Sequence, residues 1–241
     1  MGTQAVGRMG TLLGALAALA ALALLPAAPG PLVIPEGEDP GRWTEELDRL
    51  VQSTPDAPRP LVFLGSSSIR RWSTLAADMA PLPVLNRGFG GSRIFDAVHW
   101  FDRLVTPHDP SVIVVFSGTN DLSGSNPRQP SWILEQFDQL VRVARRSCRT
   151  TPLVYIAISP SPSRIEHLDA VLETNRLIAE RCAADPLLEF VDTATGLLDA
   201  EGRPDPSWFV EDRLHLNAEG YQHWTRVLKP VLERLDSVPR S

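Results

Sequence analysis

Val112-Ile113-Val114-Val115-Phe116 is an unbroken run of five apolar residues, four of them β-branched. Such a run has no polar face to offer water. A strand made from it must be covered on both sides, as in the middle of a parallel sheet flanked by helices. Residues 61–64, 83–86, 153–158 and 188–191 read as further short strands. Segments with helical spacing lie between them, at 69–79, 94–105, 130–147, 168–184 and 217–235, with one more at 43–52 ahead of the first strand. The alternation predicts one doubly wound parallel sheet of five strands with helices on both faces, an α/β domain of three layers, α/β/α. At 241 residues and 43% hydrophobic content the chain suits one such domain, and it shows no internal repeat.

The clearest break in composition is at the start. Residues 1–8 carry one positive charge, residues 10–25 are an uncharged run rich in Ala and Leu, and Pro26-Ala27-Ala28-Pro29 follows. This is the layout of an export signal, or of a membrane anchor if it is not cleaved. Residues 1–30 are therefore expected to be a signal peptide or anchor, with membrane attachment through residues 10–28 in the second case. The protein is then periplasmic, secreted or membrane-anchored. Residues 31–58 are expected to form a linker and an N-terminal helix, and 59–236 the domain. A net charge of −6 and a single lysine, Lys229, argue against nucleic acid as a partner. Two cysteines, Cys148 and Cys182, lack metal-ligand spacing, so a zinc site is not expected; a disulfide between them and two buried thiols are both open.

In a sheet of this kind the loops after the strands gather on one edge, where ligands bind. Three of these loops carry reactive or flexible residues: Gly65-Ser66-Ser67-Ser68, Gly88-Phe89-Gly90-Gly91 and Gly118-Thr119-Asn120-Asp121. Asp212-Arg213-Leu214-His215 lies just before the last helical segment. Acyl transfer needs a nucleophile, a base, a group that orients the base, and donors for the developing oxyanion. A serine of the first loop, His215, Asp212, a backbone N–H of the glycine loop and the Asn120 amide supply these in turn. A second Asp-x-x-His, Asp96 to His99, falls inside a helical segment and reads as a surface pair or a partly buried histidine. The glycine loop lacks the lysine and spacing of a phosphate-binding loop.

Taken in order, these four blocks resemble the SGNH (GDSL-type) hydrolase superfamily over roughly residues 60–235. The family's Gly-Asp-Ser corresponds to Gly65-Ser66-Ser67, so the resemblance makes Ser67 the nucleophile. Ser66 stands where the family usually has aspartate, and the chain is similar to a subgroup with Gly-Ser-Ser-Ser-Ile-Arg. The resemblance implies a catalytic triad of Ser67, Asp212 and His215. It also implies an oxyanion hole from the N–H of Ser67 and Gly91 and the amide of Asn120. It implies a flavodoxin-like fold and a serine esterase that forms an acyl-enzyme without metal or cofactor. Expected substrates are small-molecule, carbohydrate or lipid esters with short acyl or O-acetyl groups. Lysophospholipid or thioester hydrolysis, acyl transfer, and a catalytically silent binding domain are the alternatives. Arg93 and Trp208 are further candidates for contact with substrate. Ser159-Pro160-Ser161-Pro162-Ser163-Arg164 closes the fourth strand and is expected at the same edge.

Overall fold

Neighbouring residues of a strand point to opposite faces, and the apolar runs use both. In the computed structural model Val62, Leu64, Ile113, Val115, Leu153 and Tyr155 enter one core, while Leu61, Phe63, Val112, Val114, Phe116, Val154 and Ile156 enter another. The structure describes residues 33–52, 58–124 and 126–237, together with Gly2. The expected signal or anchor at residues 1–30 lies outside the described residues, Gly2 excepted.

The strands are β1 (Leu61–Gly65), β2 (Val84–Gly88), β3 (Val112–Phe116), β4 (Leu153–Ile156) and β5 (Leu188–Val191), all parallel in the order β2-β1-β3-β4-β5. The helices are α1 (Thr44–Gln52), α2 (Ser67–Arg70), α3 (Leu75–Met79), α4 (Ile94–Leu104), α5 (Pro130–Ser147), α6 (Leu168–Ala183) and α7 (Ala218–Asp236). Residues of α1, α4, α5 and α6 fill the first core, and residues of α2, α3 and α7 the second. The chain is thus a three-layer α/β/α domain, as the apolar pattern predicts. Strand order reverses at β1, between β2 and β3, so a crevice opens past the carboxyl ends of β1 and β3.

Two expectations need correction. The helix expected over 69–79 is two short helices, because Trp72 turns inward to 1% exposure. There it stacks on Tyr221 and donates to Asp78 at 2.6 Å, which ends α2 and places Asp78 in α3. The stretch ahead of α1 is not a free linker: the described residues from Val33 onward form one unit. Leu47 is fully buried, and Trp43 packs edge-on against Phe89. The Glu38 carboxylate is 1% exposed because Arg93 and Arg128 pair with it at 3.0 and 2.9 Å. Cys148 and Cys182 are buried in the first core. Asp96, in the first turn of α4, closes a capping box by accepting the N–H of the N-cap residue Arg93 at 2.8 Å, so the second Asp-x-x-His is structural.

Candidate active site

The serine turn is held from three sides. A Cβ at Gly65 would lie 2.3 Å from the Phe116 carbonyl oxygen, so only glycine lets β1 and β3 run this close where the chain turns. Ser66 N–H donates to that same oxygen at 3.2 Å. From β2, Asn86 donates to the Ile69 carbonyl at 2.6 Å. From α7, the buried Tyr221 hydroxyl donates to the Ser68 carbonyl at 2.8 Å. Burial holds this phenol above its ordinary pKa. Ser67 opens α2 and is only partly exposed.

His215 comes from the loop before α7. Asn217 caps that helix, its side-chain oxygen accepting from Gly220 N–H at 3.0 Å. Val210 N–H donates to the His215 carbonyl at 2.9 Å and closes the loop. Within it, Asp212 Oδ1 accepts the backbone N–H groups of Leu214 and His215, each at 2.9 Å. The other carboxylate oxygen is left facing the imidazole. His215 Nδ1 lies 2.7 Å from Asp212 Oδ2, and His215 Nε2 lies 2.7 Å from Ser67 Oγ. A carboxylate only accepts, so Nδ1 carries the hydrogen and Nε2 is left to accept from the serine hydroxyl. Burial works to raise the Asp212 pKa. The backbone and ring N–H groups of His215, with the Leu214 N–H, outweigh it and hold this carboxyl well below the usual carboxylate range.

Asn120 closes the cleft from the end of β3. Its Nδ2 donates to the Ser92 carbonyl at 2.9 Å, and its Oδ1 accepts from Arg164 Nη2 at 3.1 Å. Next to it, the fully buried Asp121 accepts the Ile94 N–H at 3.2 Å and ties this loop to the start of α4; burial pushes its carboxyl up to about 7. Ser67, Asn120, Arg164 and His215 line one narrow cleft, with Thr119 and Leu214 also in its wall.

Gly91 is exposed and adopts φ +76°, a backbone conformation open to glycine. It stands beside that cleft rather than in its lining, one residue before the Ser92 carbonyl that Asn120 grips. The N–H groups of Ser67 and Gly91 donate to no group among the described residues. The structure thus brings together Ser67, Asp212, His215 and Asn120. It does not bring Arg93 or Trp208 into the cleft. The Arg93 guanidinium is taken by Glu38, and the Trp208 ring lies against His223, 5.6 Å between centroids.

Two residues of the site went unassigned in the sequence. Arg71 Nη1 reaches Asp212 Oδ2 at 3.2 Å across 141 positions of chain, a span over which spacing says nothing. Arg164 was visible only as the end of a Ser-Pro stretch; it binds the Thr119 carbonyl and hydroxyl at 2.8 and 2.9 Å as well as Asn120. Among the described residues no cluster of three or more His, Cys, Asp or Glu could hold a metal ion, and no helix is long and apolar enough to cross a membrane. What the arrangement can do is transfer a proton from Ser67 to His215 in a small enclosed space.

Comparison with known proteins gives a consistent picture. The model of the GDSL-like Lipase/Acylhydrolase family matches residues 52–223. The human platelet-activating factor acetylhydrolase IB subunit alpha1 is 26% identical over 212 residues, covering 85% of this chain and 89% of that protein. Among solved structures, a GDSL-like lipase from Bacteroides thetaiotaomicron superposes with a TM-score of 0.65 at 19% identity, covering 81% of this chain and 98% of that one. A carbohydrate esterase family 3 protein from Talaromyces cellulolyticus superposes with a TM-score of 0.59 at 14% identity, covering 75% and 100%. These two likenesses are of fold.

Proposed function

The chain belongs to the GDSL-like lipase/acylhydrolase family, carboxylic ester hydrolases, and from that premise we propose that it removes short acyl groups, acetyl first among them, through an acyl-enzyme on Ser67. The observation that carries this is the continuous line from Ser67 Oγ to His215 to Asp212, 2.7 Å at each step.

His215 Nε2 takes the Ser67 proton as Oγ attacks the ester carbonyl carbon. Asp212 then faces an imidazolium and stabilises its charge. The carbonyl oxygen becomes an oxyanion and is met by the N–H groups of Ser67 and Gly91 and by the Asn120 amide. As the tetrahedral intermediate collapses, His215 passes its proton to the leaving alcohol. Water then enters, gives its proton to the same nitrogen and attacks the acyl-enzyme. The acid is released and Ser67 regains its hydrogen. The small cleft favours a short acyl chain. The name of the human relative points to acetyl removal from platelet-activating factor, and that of the Talaromyces cellulolyticus neighbour to a carbohydrate ester.

The test is turnover of p-nitrophenyl esters from acetyl to palmitoyl, by the natural protein and by Ser67→Ala. The expected result is a rate that falls with chain length and is abolished by the substitution. Equal rates in both proteins would refute Ser67 as nucleophile. A maximum at palmitoyl would refute the short-acyl reading. Parallel assays on an acetylated xylo-oligosaccharide and an acetylated phospholipid assign the alcohol. The proposal extends to location: the apolar run at residues 10–25 directs the protein out of the cytoplasm or anchors it in the membrane. Recovery of the full-length protein in the soluble cytoplasmic fraction would count against that.

A further inference from the structure

Arg164 sits in the cleft wall yet spends its guanidinium on protein groups. Nη1 donates to the Thr119 carbonyl at 2.8 Å and to the Thr119 hydroxyl at 2.9 Å, and Nη2 to Asn120 Oδ1 at 3.1 Å. It reaches them from the turn after β4, whose Ser163 N–H is bonded to the Arg213 carbonyl in the His215 loop at 3.1 Å. Resting on the reading above, we infer that Arg164 is a positioning residue that sets the orientation of the Asn120 amide and so builds one donor of the oxyanion hole.

A guanidinium only donates, so it must face the amide oxygen. A backbone carbonyl only accepts, so Ser92 must face the amide nitrogen. Held from both ends, the Asn120 amide cannot exchange its N and O positions. Its nitrogen carries two hydrogens and spends one on Ser92, 2.9 Å away. The second has no partner among the described residues and belongs to a side chain that lines the cleft with Ser67. The charge at Oδ1 also draws electron density from the amide nitrogen and strengthens its N–H as a donor. The bonds to Thr119 fix the guanidinium itself, so this alignment exists before substrate arrives. Arg164 acts through Asn120 and need not touch the substrate.

The experiment is a double-mutant cycle in the full chain, with Arg164→Ala, Asn120→Ala and the pair, read as kcat and KM on p-nitrophenyl acetate. Asn120→Ala is expected to lower kcat by about 100-fold, as loss of an oxyanion donor does. Arg164→Ala should lower kcat by about 10- to 100-fold and change KM by less than about twofold. In the Asn120→Ala background it should then cost almost nothing more. Arg164→Lys keeps the charge but cannot fork across Thr119 and Asn120, so its kcat should fall between those of Ala and the natural protein. Circular dichroism melting of each variant separates loss of fold from loss of alignment, and Arg164→Lys carries the test if the alanine variant does not fold.

An equal loss from Arg164→Ala in both backgrounds would overturn the inference, because Arg164 would then act on substrate or oxyanion directly. So would an effect on KM alone. The rate at which a fluorophosphonate probe labels Ser67 gives the same comparison without a substrate. A natural protein that neither turns over esters nor is labelled would overturn the reading of the site itself. A labelled natural protein with an unchanged rate in Arg164→Ala would overturn the inference alone.

Discussion

Arg71 and His215 share one oxygen: Asp212 Oδ2 lies 3.2 Å from Arg71 Nη1 and 2.7 Å from His215 Nδ1. The arginine is a fixed positive charge beside a group that must become positive during the reaction. It therefore competes with the imidazolium for the same carboxylate. Removing it in Arg71→Gln leaves the whole of the Asp212 charge to stabilise the imidazolium. Arg71 and Asp212 are 47% and 40% exposed, so kcat on p-nitrophenyl acetate should rise by less than about fivefold, and the gain should shrink in high salt. An unchanged or lowered kcat would show that Arg71 only covers the loop.

Asp212→Asn separates charge from loop geometry. An asparagine can keep its oxygen on the N–H groups of Leu214 and His215 but presents a donor to Nδ1, which favours the wrong tautomer. Activity should fall by about 10³- to 10⁴-fold, and at pH 7 the variant should melt below the natural protein because it lacks the carboxylate charge that the loop N–H groups stabilise. The Asp212 carboxyl is held below the ordinary carboxylate range in the folded chain. Its contribution to stability is therefore complete above the unfolded value of about 4 and is lost as pH falls below it. The natural protein should lose stability between about pH 4 and pH 2 more steeply than Asp212→Asn. Parallel acid-unfolding curves would contradict this.

Asp121 predicts the opposite slope. Burial lifts its carboxyl to about 7 in the folded chain. The unfolded chain ionises first as pH rises, so this group destabilises the fold progressively from about pH 4 to pH 7. Asp121→Asn removes the titration. Its stability relative to the natural protein should improve as pH rises through that window, by at most about 4 kcal/mol. Urea unfolding at pH 5 and pH 8 measures the difference, and a constant difference would refute it.

Glu38 joins the segment before β1 to both loops beside the cleft, through Arg93 ahead of α4 and Arg128 ahead of α5. Glu38→Ala leaves two cations, 22% and 19% exposed, without their shared partner. It should cost about 2–4 kcal/mol in urea unfolding, more than either Arg93→Ala or Arg128→Ala. A cost below about 1 kcal/mol would place the pair among ordinary surface contacts.

The layers, the five strands and the loops that carry Ser67, Asn120, Asp212 and His215 were legible in the sequence, with Ser67 singled out by a family resemblance. Strand covering and helix spacing are local consequences of where apolar residues fall, and each reactive residue lies in a loop that follows a strand or leads into a helix. The break after α2 was not legible, because it depends on Trp72 finding Tyr221 about 150 positions away in the second core. Nor was the role of residues 33–43, whose polar composition resembles a linker until Arg93 and Arg128 meet Glu38. Arg93 looked available to substrate for the same reason: sequence shows a charge but not its partner. The sequence by itself determined which groups are present and at which strand ends they lie. Tertiary structure alone decided which of those groups face each other. That choice put Arg71 on Asp212 and Arg164 on Asn120, because hydrogen bonds and ion pairs are won by distance in space, and distance along the chain carries no record of it.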